Sequence, residues 1–109
     1  MGEPFLKIYP SYYQAVTGMK NSALTVLYIF MLKITETYKV QKIVEMNYNE
    51  ARYLYAPKFL NPDAQRKFNV SRYSEGLKDL KARGIITPHE KAKSLYYYND
   101  KLFSVTKNE

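Results

Sequence analysis

The residues that offer chemistry in this chain fall in two short runs: Ser71, Arg72, Ser74, Glu75 and Lys78, then Lys91 and Lys93. At about 100° per residue, Ser71, Ser74, Glu75, Lys78 and Ala82 lie on one side of a helix. Tyr73, Leu77 and Leu80 form an apolar stripe on the other. Serine hydroxyls at a helix start can bind a phosphate or a base edge, and a lysine can bind phosphate or guanine. Glu75 can accept from a cytosine amino group, or merely steer its neighbours. These groups suit recognition of a polyanion rather than bond breaking. A charged outer stripe on an amphipathic helix is more often simply solvated. The elements around it must therefore carry the distinction.

A turn at Asn69 to Ser71 leads into the helix, expected over 71–83, and Gly76 beside its apolar stripe would let another element approach closely. Gly84 follows the last turn, where a left-handed residue closes a helix, and Lys81 and Arg83 suit its negative end. Ile85 and Ile86 open a strand, a polar loop runs from Pro88 to Ser94, and Leu95 to Tyr98 reads as a returning strand. Helix, short strand, basic loop and returning strand are the order of a winged helix-turn-helix, with the wing over 85–98. Lys91 and Lys93 at its tip would reach the sugar-phosphate backbone or the minor groove.

A helix-turn-helix needs a first helix before the recognition helix. Asn61 as cap, Pro62 at the first position and Asp63 behind it mark one from Pro62 to Phe68. It would bury Ala64 and Phe68 and leave Arg66 and Lys67 outside. Asn49 to Ala56, ended by Pro57, is the alternative first helix, with a longer connection. Further upstream, Phe5 to Tyr9 alternates like a short edge strand that Pro10 closes. Ser11 can cap a helix in which Tyr12, Ala15, Val16 and Met19 share a face, with Gly18 near its end. Asn21 or Ser22 caps a second helix running to about Thr37. It is apolar on most sides, as central helices are. Its polar stripe of Ser22, Thr25, Lys33 and Glu36 has Ile29 in the middle. A residue so placed is either covered by the chain's own ends or meets a second copy, as in a two-fold homodimer presenting paired recognition helices. Val40 to Tyr48 alternates as a strand would, though Ile43 breaks the pattern, and Thr106 to Glu109 reads as a frayed tail.

Composition narrows the classes. With 109 residues, 46% of them hydrophobic, the chain suits one folded domain, residues 1–109, rather than disorder. It has no cysteine, which excludes disulfides and zinc-thiolate sites and fits a cytoplasmic protein. The start MGEPFLKIYP lacks the basic and apolar regions of a signal peptide. Ala23 to Leu32 is half a bilayer span, so no membrane partner is expected. The formal charge is +7, and its distribution is uneven. Residues 1–50 hold five Lys against four Glu, whereas residues 51–109 hold twelve Lys or Arg against six Asp or Glu. The excess therefore coincides with the expected recognition helix and wing.

Catalysis is not expected. His89 is the only histidine, and HEKAK lacks the second histidine of a zinc protease motif, so it reads as a surface residue. The twelve tyrosines lack the activating bases or metal-binding histidine pair that a nicking nucleophile needs. Tyr96 to Tyr98 could stack bases of a single strand, but in a strand alternate members point inward, so core packing explains part of that run. The four glycines are scattered, without a phosphate-binding loop, and no cofactor is called for.

The chain resembles the winged-helix replication proteins of the RepL type found on plasmids and phages. FLKIYPSYYQAV followed by the apolar SALTVLYIFMLKI is similar to that family's opening. NVSRYSEGLKDLKARGII resembles its recognition helix, and YYYNDKLF its closing pattern YYINPxLF, with Tyr98 in place of Ile and Asp100 in place of Pro. The resemblance implies binding to origin-like or operator-like DNA without catalysis, in a bacterial cell or phage-infected host. The fold expected is thus mainly α with a small β wing: a winged helix-turn-helix with an N-terminal helical pair. The expected function is sequence-specific binding of double-stranded DNA through Arg66, Lys67, Ser71, Arg72, Ser74, Glu75, Lys78, Lys91 and Lys93. Replication initiation or copy control is the specific version, and transcriptional regulation would use the same surface. From another class, the domain would be a non-catalytic protein-interaction or virion structural module.

Overall fold

The helix at the centre, α2 (Asn21–Thr37), runs where its apolar run places it. The computed structural model describes residues 4–37 and 43–107. Ala23, Val26, Leu27, Ile29, Phe30, Met31 and Ile34 of α2 are all buried, so elements pack on several of its sides. Ile29 is only 1% exposed. The chain's own packing covers it, so Ile29 itself presents no surface to a second copy. Lys33, one turn further on the same side and expected in a polar stripe, is also buried. Its ammonium donates to the carbonyl of Glu45 and pairs with the carboxylate of Glu50, which is what lets a lysine sit there. These partners come from β2 (Ile43–Glu45) and α3 (Tyr48–Glu50), so the segment after α2 folds back over its polar stripe.

At the N-terminus, β1 (Pro4–Ile8) is the expected strand. It pairs antiparallel with β5 (Phe103–Lys107), from Pro4 opposite Lys107 to Ile8 opposite Phe103. Thr106 and Lys107 therefore belong to a strand and not to a frayed tail, while Asn108 and Glu109 lie outside the described residues. α1 (Pro10–Ala15) starts on the proline itself. Ser11 does not cap it: its hydroxyl donates to the carbonyl of Lys101 at 2.7 Å. Proline at the first helical position has no N–H to satisfy, so the helix can start without a side-chain cap and Ser11 is left to tie the two chain ends together.

Beyond β2, Met46 is buried and Asn47 caps α3, accepting from the N–H of Glu50 at 2.8 Å. Val40, read as part of a strand, lies outside the described residues. The helical segment does not stop at Ala56. It continues as a π-helical turn (Ala51–Tyr55) and a 3₁₀ turn (Ala56–Lys58) that contains Pro57. Two successive changes of helical period carry the backbone past a residue that has no N–H to donate. α4 (Pro62–Lys67) begins as its sequence directs, with the Asn61 side chain accepting from the N–H of Ala64 at 2.8 Å. Phe68 after it is buried, while Arg66 and Lys67 are exposed.

Asn69 caps α5 (Val70–Ala82) by accepting from the N–H of Arg72 at 2.9 Å. Tyr73, Gly76, Leu77 and Leu80 form its buried stripe, and its main neighbour is α2. Gly84 closes it at φ +72°. The N–H of Ile85 reaches the carbonyl of Leu80 at 3.0 Å, and that of Gly84 the carbonyl of Lys81 at 3.1 Å. This paired closure needs a left-handed residue at 84. β3 (Ile86–Pro88) and β4 (Leu95–Tyr98) then pair as a hairpin, with β2 on the other edge of β4, giving the order β2-β4-β3. Tyr96 and Tyr98 point inward; Tyr98 stacks on Phe103 at 5.5 Å and meets Phe30 edge-on at 6.1 Å. The described chain is thus mainly α with small antiparallel sheets.

Candidate nucleic-acid interface

Packing α5 against α2 through its apolar stripe turns the opposite side outward. Ser71, Arg72, Ser74, Glu75, Lys78 and Ala82 are all exposed. Two clefts flank this face. One, of about 360 Å³, lies between α4, α5 and the first turns of α2, and brings Lys67 and Arg72 beside Asn21, Ser22 and Thr25. The other, of about 330 Å³, places Glu75 and Lys78 beside Lys20, Ser22, Asp79 and Arg83. Ser22 lines both, so the start of α2 is the ridge between them.

The charges here are not equivalent. Asp63 is shared by Arg66 at 3.0 Å and Lys67 at 3.3 Å, all three exposed. Glu75 is met by Lys20 at 3.5 Å. Arg72 and Lys78 have no carboxylate partner among the described residues. Arg83 is committed elsewhere: it pairs with Asp79 at 3.0 Å and donates to the carbonyls of Ala15 and Thr17 at 3.1 and 2.8 Å. It ties the end of α5 to the end of α1, and so serves position rather than recognition.

Lys91 and Lys93 are exposed on the loop between β3 and β4, and neither lines either of these two clefts. That loop is held from within. The N–H of His89 donates to the carbonyl of Leu95 at 2.9 Å, and the N–H of Lys91 donates to Nδ1 of His89 at 3.1 Å. The His89 ring stacks on Tyr97 at 5.2 Å. His89 is therefore not the plain surface residue expected. It is half-buried and shapes the turn that carries the lysines.

Lys20, Asn21 and Ser22 escaped the sequence reading as site residues. Asn21 and Ser22 were legible only as helix-start residues. Their place beside α5 depends on the close approach at Gly76, a signal for proximity that does not say to what. Among the described residues, no group of three or more His, Cys, Asp or Glu could hold a metal ion, and no helix is long and apolar enough to cross a membrane. Compared with known protein families, curated proteins and solved structures, the chain matches none.

Proposed function

We propose that this chain is a winged helix-turn-helix that binds double-stranded DNA without catalysis, with α5 as recognition helix and the β3–β4 hairpin as wing. One observation carries the reading. α5 buries one face against α2, leaves a hydroxyl- and cation-bearing face open, and passes through Gly84 straight into a hairpin with two lysines at its tip. A helix of this length spans about 20 Å, and its width of roughly 10–12 Å suits a major groove about 12 Å wide. α4 serves as the first helix, because it ends only two residues before α5 begins. The π-helical segment also packs against α2, but it is separated from α5 in sequence by the 3₁₀ turn and α4.

On this reading Arg72 and Lys78 neutralise phosphate directly. Lys67 and Arg66 do so in competition with Asp63, and Ser71 and Ser74 approach base edges. Glu75 reads a cytosine amino group only when it leaves Lys20. The resemblance in sequence makes replication initiation or copy control of a plasmid or phage the specific role. Fluorescence anisotropy of a labelled duplex tests the class: salt-sensitive binding is expected. Binding no stronger at low salt than that of a neutral control protein would overturn it. Protection of an origin-like segment over promoter segments of the same element then tests the role.

A further inference from the structure

We propose that His89 is a proton-sensitive clasp on the β3–β4 loop: the neutral ring holds Lys91 in place, and a protonated ring releases it. One hydrogen bond carries the inference. The N–H of Lys91 donates to Nδ1 of His89 at 3.1 Å, so Nδ1 must offer a lone pair. A neutral imidazole does this only as the tautomer with its proton on Nε2. Imidazolium carries a proton on both nitrogens and accepts nothing. The N–H of Lys91 would then face a second donor, and attraction would become repulsion. Imidazole is the side chain suited to make this change between about pH 5 and 8.

The rest of the loop is tied without the ring. The N–H of His89 donates to the carbonyl of Leu95 at 2.9 Å, and the N–H of Leu95 to the carbonyl of Ala92 at 3.3 Å. The N–H of Met46, beside β2, donates to the carbonyl of Ser94 at 2.8 Å. These bonds fix the base of the loop and its second half. Glu90 and Lys91 lie in the first half, where the bond to Nδ1 does the holding. The ring itself is set by stacking on Tyr97 at 5.2 Å, with the planes 24° apart. A cation over a tyrosine face is also attracted. Protonation therefore breaks the clasp without dislodging the ring.

The charged and titratable groups around the ring come from three elements. Side chains alternate along a strand, so the face holding His89 and Tyr97 also holds Ile43, opposite Tyr97, and Glu45, two residues on in β2. β4 thus supplies the phenol of Tyr97 and β2 the carboxylate of Glu45. The loop supplies Glu90, Lys91 and Lys93, all exposed. The two lysines differ in consequence: acid would free Lys91 and leave Lys93 where it is. If the hairpin is a DNA wing, which rests on that reading, proton uptake would loosen one of its two phosphate contacts.

Nitrogen-15 NMR of the free protein between about pH 5 and 8 reads each step, because His89 is the only histidine. At the alkaline end the ring should be the Nε2–H tautomer. The amide shift of Lys91 should follow the titration of the ring with the same midpoint. Order parameters of Glu90 and Lys91 should fall from about 0.85 to below about 0.6, while that of Ser94 holds. His89→Asn keeps an acceptor two residues before the amide and cannot titrate, so it should stay closed throughout. His89→Phe keeps the stack and loses the acceptor, so it should be open throughout. Glu45→Gln and Glu90→Gln should each leave the transition in place. An Nδ1–H tautomer, a Lys91 amide indifferent to the titration of the ring, or a His89→Asn protein that still opens in acid would overturn the proposal. No DNA is present, so a failure of DNA binding would leave this result standing.

Discussion

Gly76 lies so close to the first turn of α2 that a Cβ built on it would stand 2.6 Å from the carbonyl oxygen of Ser22. It would stand equally close to Cγ2 of Val26. In an open helix Gly→Ala gains about 1 kcal/mol from backbone entropy. Here the methyl would push against backbone, and overpacking of this kind costs about 1–3 kcal/mol or more. Gly76→Ala should therefore destabilise despite its better helix propensity, as urea denaturation would read. A more stable variant would mean that α5 sits farther from α2.

The next two positions of α5 separate its faces. Leu77 is buried among the core side chains and Lys78 is exposed. Leu77→Ala should cost about 2–5 kcal/mol, and Lys78→Ala less than about 0.5 kcal/mol. Comparable losses would refute the orientation of the helix.

Local signals made this half of the molecule legible. Asn61 is a cap, Gly84 is a left-handed closure, and the runs on either side of residues 89–94 are strands, each decided by its near neighbours, while Asn69, read only as opening a turn, caps α5. What stayed hidden depends on distant partners. The pairing of Phe5 with Thr106 joins the two chain ends, so neither strand announces the other. Lys33 looks like a surface residue until Glu50 arrives from α3 to meet it. The site was half legible for the same reason. The face of α5 follows from helical period, whereas the ridge at Ser22 follows from tertiary packing.

The Lys33–Glu50 pair gives an asymmetric prediction. Glu50 keeps 30% of its side chain in contact with solvent, against 10% for Lys33. Water can take over the carboxylate when the lysine is lost, but it cannot easily reach the ammonium when the glutamate is lost. Glu50→Gln should cost about 2–4 kcal/mol, and Lys33→Met, which keeps the volume, less than about 2 kcal/mol. Denaturation of both variants reads the order, and a reversed order would refute this account of the pair.

Tyr73 predicts a response to alkali. Its hydroxyl is buried and has no protein hydrogen-bond partner among the described residues. Burial, then the phenol of Tyr96 and the carboxylate of Glu50, push its pKa well above the ordinary 10.0. Tyr55 is pushed up to about 12, first by burial and then by Glu36 and Glu50. Both groups hold their proton more tightly folded than unfolded. Their contribution is complete below the unfolded pKa near 10 and is lost as pH rises through the folded values. Tyr73→Phe should match or exceed wild type at neutral pH, because an unsatisfied buried hydroxyl costs about 1–3 kcal/mol. It should also lose less stability above about pH 10. Denaturation midpoints of the two proteins across that range provide the check, and parallel curves would refute it.

On the proposed DNA-binding reading, the salt dependence of duplex binding tests how the cations divide the work. Each neutralised phosphate contributes about −0.9 to the slope of log affinity against log salt. Arg66, Lys67, Arg72, Lys78, Lys91 and Lys93 offer four to six contacts and a slope of roughly −4 to −5. Lys91→Ala with Lys93→Ala should weaken binding on every sequence and make the slope shallower by about 2, and Arg72→Ala by about 1. Arg66→Ala should matter less, because Asp63 at 3.0 Å already offsets that charge. Asp63→Asn should correspondingly tighten binding, since it releases Arg66 and Lys67 together. Ser71→Ala and Ser74→Ala should leave the slope alone and blunt discrimination between sites, since base contacts release few ions. Anisotropy titrations at several salt concentrations separate these outcomes. A slope unchanged by loss of both Lys91 and Lys93 would remove the hairpin from the proposed interface, even if α5 still binds.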